Sequence, residues 1–157
     1  MSSFDLRALV ASLDRHDVDY VIVGGVAVVA HGYLRATRDL DVVPDHDREN
    51  LRHLAAALRD MEATLPLAGR PFDPAIDLRQ LELRQNMTLD TAYGGLDVIQ
   101  QAPGVHAFAT LAADAVEADV LGVPVRICSL EHLREMKAAA GRAQDRADLE
   151  NLPEPEG

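Results

Sequence analysis

Apolar residues return every third or fourth position through residues 3–16, where Phe4, Leu6, Leu9, Val10 and Leu13 line one stripe, so an amphipathic helix is expected at the start of the chain. The period then changes. Residues 18–23 are apolar apart from Asp19, and Tyr20-Val-Ile-Val23 has the length and β-branched content of a buried strand. Gly24-Gly25 turns the chain, and residues 26–31 read as a short helix. A second apolar run over 39–43 predicts a strand that Pro44 stops. Asp45 or Asp47 can cap the next helix, expected over 48–61, where Leu51, Leu54, Ala55 and Leu58 restore the helical stripe. Residues 65–74 hold three prolines and a glycine and are expected to be a loop, with a short helix after it over 76–83.

The second half is strand-rich. Residues 86–91 and 95–100 alternate in polarity and predict two strands joined by a tight connection at Tyr93-Gly94. Residues 115–120 and 123–128, separated by Leu121-Gly122, predict a hairpin. Ser129 is a good N-cap for a last helical pattern over 130–152, interrupted near Gly141, and the tail 153–157 is expected to be loose. This order implies an α+β fold with an α/β-like core, a mixed sheet flanked by helices, in a single domain over 1–152. The first two strands are expected to pair in parallel through a crossover over 26–37.

Composition narrows the function more than the fold. A chain of 157 residues with 48% hydrophobic content can bury a proper core. The longest apolar stretch is broken by Asp19 and the glycines and is too short to span a bilayer, and the polar start does not read as a leader, so a soluble, cytoplasmic protein without membrane contact is expected. The lone Cys128 sits in an apolar run and reads as a buried thiol. The net charge of -11 disfavours extended binding to polyanions. Zinc-type Cys/His spacing, a Walker-type glycine loop and a serine elbow are all absent from the sequence, which removes several enzyme classes.

The stretch from Tyr20 to Pro44 carries the chemistry. Asp39 and Asp41 are two apart on a strand, so both carboxylates project from one face and repel unless a cation sits between them; Mg2+ or Mn2+ is the natural ligand. Gly24 and Gly25 open a helix whose unpaired N–H groups favour an anion such as a triphosphate. Arg35, Thr37 and Arg38 directly precede the acidic pair and are candidate phosphate or acceptor contacts. Asp97 interrupts the otherwise apolar Leu96-Asp97-Val98-Ile99 and is the candidate third carboxylate, with Asp90 its competitor on the preceding strand.

Gly-Gly, a spacer and then Asp-x-Asp resembles the nucleotidyltransferase superfamily signature. Gly32-Tyr33-Leu34-Arg35-Ala36-Thr37-Arg38-Asp39-Leu40-Asp41, with the later Lys137…Arg142…Asp145…Asp148 segment, is similar to the small bacterial AbiEii-toxin-like branch. The resemblance implies the nucleotidyltransferase fold and transfer of a nucleoside monophosphate from an NTP such as ATP to an acceptor hydroxyl, with release of pyrophosphate. It implies Asp39, Asp41 and Asp97 as catalytic and metal-binding residues, and Gly24, Gly25, Arg35, Thr37 and Lys137 around the nucleotide. It also implies RNA, tRNA or a protein as acceptor and the toxin role in a toxin–antitoxin pair. A small-molecule acceptor fits the acidic surface better. A homodimer or an added subunit could complete the acceptor surface. The alternative is a non-catalytic module of the same fold that binds a nucleotide or a partner protein.

Overall fold

The computed structural model describes residues 4–155, so the first residue of the expected opening helix and the last two of the tail lie outside the described residues. Seven helices and eight strands follow one another as α1 (Leu6–Arg15), β1 (Tyr20–Val23), α2 (Gly24–Ala30), β2 (Asp39–Pro44), α3 (Arg48–Asp60), β3 (Thr64–Leu65), β4 (Arg70–Pro71), α4 (Pro74–Glu82), β5 (Met87–Thr91), β6 (Gly94–Val98), α5 (Phe108–Ala113), β7 (Val116–Val120), β8 (Val123–Ile127), α6 (Leu130–Ala140) and α7 (Ala143–Asn151). All the strands join one mixed sheet in the order β4-β3-β5-β6-β2-β1-β8-β7. The fold is the α+β arrangement the sequence implies.

Local chemistry sets most of the boundaries. Asp5 caps α1 by accepting from the Ala8 N–H at 3.0 Å, Asp47 rather than Asp45 caps α3, and Ser129 caps α6 by accepting from His132 N–H at 3.1 Å. Gly141, at φ 63°, takes the left-handed conformation that splits the last helical pattern into α6 and α7. Cys128 is fully buried, and burial pushes its thiol up to about 12. Among the described residues, no helix is long and apolar enough to cross a membrane.

Three expectations need correction. The segment over 65–74 is not all loop, because β3 and β4 pair as a minimal hairpin: Arg70 grips the buried Asp77 carboxylate through two bonds of 2.6 and 2.8 Å. Helix α5 escaped the sequence reading, because it has only six residues and buries only Leu111. The third correction bears on the site. β1 and β2 are antiparallel, with Val23 opposite Asp41. Helix α2 has seven residues and advances only ~10 Å, and the irregular chain over 32–38 does not carry it back to the start of β1. β2 therefore begins where β1 ends. The parallel pairs are β2 with β6 and β1 with β8, joined by long connections.

Strand register builds two contrasting faces. Leu40, Leu96 and Leu89 align across β2, β6 and β5, and all three are fully buried. One residue along, on the other face, Asp41, Asp97 and Thr88 align, and next to them Asp39, Gly95 and Asp90. The same alternation that anchors the sheet to its core thus gathers carboxylates on its opposite side.

Candidate active site

The residues singled out in the sequence come together. Gly25, Arg35, Thr37, Asp39, Asp41, Asp97 and Lys137 line one cavity of about 440 Å³, joined by Ala36, Arg38, Arg142 and Gln144. Gly24 lies beside it, lining an adjoining cleft that shares Asp41, Lys137 and Arg142. A larger hollow of about 690 Å³ lies between α3 and α4, but Asp60 is its only carboxylate.

Of the glycines on these elements, Gly24 is a steric necessity and Gly95 leaves room for a carboxylate. A Cβ on Gly24 would fall on the Asp41 carboxylate, and its φ of +68° disfavours a side chain in any case. A Cβ on Gly95 would fall on the Asp39 carboxylate. Gly25 serves differently: Thr37 Oγ1 lies 2.7 Å from where its Cβ would be, and Arg35 Nη1 at 3.4 Å. The loop thereby closes down on the start of α2.

The carboxylates are not electrostatically equivalent. Burial, then the neighbouring Asp97 charge and a hydrogen bond to it, push Asp41 up to about 7. Burial also raises Asp97, although its hydrogen bond with Asp41 works the other way, so the two carboxyls resist being charged together. Asp39 is exposed. Asp90 faces Asp39 across the bare Gly95 and further disfavours charge on Asp97.

Three of the basic residues lining the cavity, Arg35, Lys137 and Arg142, are already engaged. Lys137 is buried and pairs with Asp145 at 3.1 Å and Asp148 at 2.9 Å. Arg35 binds Asp148 through Nε at 2.8 Å and Nη2 at 3.0 Å. Arg142 and Asp145 pair at 2.7 Å, as their i,i+3 spacing suggested. His31 lies off this network and bonds the Cys128 carbonyl at 2.8 Å.

Asp41 and Asp97 therefore face each other with surplus negative charge that the Lys137 ammonium eases only in part, and among the described residues neither forms an ion pair. That is the condition a divalent metal relieves. Among the described residues, no three carboxylate, imidazole or thiol groups are placed to hold a metal ion together. The donor set nevertheless fits Mg2+, which takes one or two carboxylates and completes its shell with phosphate oxygens and water.

Sequence reasoning missed Gln144, the steric role of Gly95 and the burial of Asp148. The spacing Asp145-x-x-Asp148 places both acids on one face of α7, and that was the available signal.

The family model of aminoglycoside-2''-adenylyltransferases matches residues 5–152. The chain belongs to that family. It is thus a nucleotidyltransferase of the superfamily its motif resembles, and these findings do not support the AbiEii-type branch. Among solved structures, the fold is similar to that of a lincosamide antibiotic adenylyltransferase, LnuA, with lincomycin bound: TM-score 0.62, 18% identity, 96% of this chain and 98% of that one. It is similar to ANT(2'')-Ia in complex with adenylyl-2''-tobramycin, at TM-score 0.57 and 16% identity over 90% of this chain and 82% of that one. A nucleotidyltransferase-like protein from Thermotoga maritima aligns at TM-score 0.56 and 14% identity over 92% and 89%. Comparison with curated proteins finds no match.

Proposed function

We propose that this member of the adenylyltransferase family moves a nucleoside monophosphate, from ATP in the first instance, onto a hydroxyl of a small antibiotic-like molecule. The observation that carries the reading is the convergence of Asp39, Asp41 and Asp97 with Arg35, Thr37 and Lys137 on one cavity. Asp41 and Asp97 would hold Mg2+ or Mn2+, with Asp39 beside them. A metal bound there supplies charge neutralisation at the phosphates and at the attacking oxygen.

This chain's own residues do the rest. Arg35 and Lys137 present positive charge to the triphosphate, and Thr37 closes the cavity over Gly25. One carboxylate of the coupled pair takes the proton of the acceptor hydroxyl as its oxygen attacks the α-phosphorus and pyrophosphate leaves. A net charge of -11 fits a cationic amino sugar better than RNA as acceptor. The family match and the neighbours solved with lincomycin and adenylyl-tobramycin support the same choice.

The test is label transfer. Purified protein is incubated with each α-labelled NTP, Mg2+ or Mn2+, and separately with amino sugars, lincosamides, total RNA and cell protein. Label from ATP is expected on a small molecule. Label confined to RNA or protein would return the acceptor to a macromolecule and revive the toxin role. Nucleotide binding without transfer to any acceptor would favour the binding module.

Gly95→Ala probes the same site sterically. Gly95 does not take the left-handed conformation, so the backbone accepts alanine, and Asp39 must turn away from the new methyl group. Melting should move by no more than a few degrees, while label transfer falls by about 10-fold or more, the typical cost of misplacing a group at a reacting centre. Unchanged transfer would show that the Asp39 position does not matter.

A further inference from the structure

Arg35 and Lys137 both line the cavity, and both converge on a residue that does not. Asp148 lies within α7 and is fully buried. Its Oδ1 accepts from Arg35 Nε at 2.8 Å and from Gln144 Nε2 at 2.8 Å, while Oδ2 accepts from Arg35 Nη2 at 3.0 Å and pairs with Lys137 Nζ at 2.9 Å. Every one of these partners is a side chain. The carboxylate therefore caps no helix and closes no turn. Asp145, its neighbour one turn earlier, differs: it accepts the Arg142 backbone N–H at 3.1 Å and belongs to the start of α7.

A buried ionic network is weak as a stability device, because desolvation offsets its attraction. Burial works to raise the Asp148 pKa, and the bonds from Arg35, Lys137 and Gln144 outweigh it, so the carboxylate is charged at neutral pH. What the network supplies is geometry. Arg35 rides on an irregular segment whose neighbours Leu34 and Ala36 are exposed. A guanidinium on such a segment has many rotamers to sample unless something holds it.

We propose that Asp148 is a positioning residue, which ties Arg35 and Lys137 to α7 so that their remaining donors face the phosphates of the bound nucleotide. Arg35 spends Nε, one Nη2 hydrogen and one Nη1 hydrogen on Asp148 and the Ala36 carbonyl, leaving two of its five donors for the cavity. Lys137 has three donors and two carboxylate partners, and keeps one. The inference rests on the nucleotidyl-transfer reading above.

Asp148→Asn, Arg35→Ala and the double variant are compared with the parent for kcat, KM and melting. Asp148→Asn should lower kcat per folded molecule by about 10- to 100-fold, the scale of a displaced binding group. KM for ATP should not fall, although removal of a negative charge leaves the wall more positive. The double variant should lose less than the product of the two single losses, since Asp148 acts through Arg35 as well as through Lys137. Three results would each overturn the proposal: a lower melting point with kcat and KM unchanged, a tighter KM with kcat intact, or two single losses that multiply in the double variant. A second arm needs only the parent protein. With 15N labelling, the Arg35 Nε–H resonance should exchange slowly and shift when Mg2+ and a non-hydrolysable ATP analogue are added. A resonance that ignores the nucleotide overturns the proposal whether or not label moves. A resonance that responds in a protein that transfers nothing overturns only the transfer reading.

Discussion

Replacing Asp41 with Asn should abolish nucleotidyl transfer while making the metal-free protein more stable. Loss of one carboxylate from the proposed metal pair is expected to cut kcat by at least about 1,000-fold, some 4 kcal/mol of transition-state stabilisation. The stability change has the opposite sign. The Asp41 carboxyl titrates near 7 in the folded chain, because burial and Asp97 oppose its charge. In the unfolded chain it titrates near ~3.9. The folded state therefore holds more protons between those values, and stability falls as pH rises from about 4 to about 7. Above that, the folded protein carries the full cost of two facing carboxylates.

Asn keeps the shape and removes that cost, so the variant should melt above the parent at pH 8. The gain should shrink as pH falls and vanish only below about pH 4, where Asp41 is protonated in the folded and the unfolded chain alike. Mg2+ or Mn2+ should raise the melting temperature of the parent at pH 8 and leave the variant unmoved. A variant that melts below the parent at pH 8, or that transfers at the parental rate, would contradict the assignment of Asp41.

Lys137→Met should be the costliest substitution for stability. By resemblance this residue reaches for the triphosphate, but in the fold its ammonium is shared between Asp145 and Asp148, which are both buried. Removing one partner of a buried ionic cluster costs about 3–5 kcal/mol. Arg35 and Arg142 remain on the two acids, so the lower figure is expected, a fall of roughly 6–12 °C in melting temperature for a chain of this size. The sign with pH separates this from a packing defect. Asp145 and Asp148 are both held below the ordinary carboxylate range, so the stability they contribute is present at neutral pH and is lost as pH falls through that range. The deficit of Lys137→Met should therefore be largest near pH 7 and shrink below about pH 4. A deficit independent of pH would point to lost packing of the lysine stem. A melting curve like the parent's would show that the ammonium is not needed to hold the two acids.

Much of the site was legible in the residues because it is local. Tyr20-Val-Ile-Val23 and Gly24-Gly25 announce a strand and turn, and Asp39-Leu40-Asp41 shows by alternation alone that two carboxylates share a face. The apolar stripes of α1 and α3 and the caps of α3 and α6 are equally local. Pairing is a different matter. Whether β2 runs with or against β1 depends on how far α2 and the following irregular segment carry the chain, and the sequence reading took the wrong direction.

Asp97 stood out in sequence as a charge within a strand, but only the β2–β6 register sets it beside Asp41 and turns two ordinary acids into a coupled pair. Lys137 and Asp148 show the same division from the other side. Their types and helical positions are plain in the sequence, while the partners that decide their roles come from α6, α7 and the segment before β2. The sequence by itself determined which side chains could carry this chemistry and which strand face they take, because period and turn geometry act over a few residues. Tertiary structure alone decided which charges neutralise one another and which are left for a ligand, because burial and contact across the fold set the cost of each charge.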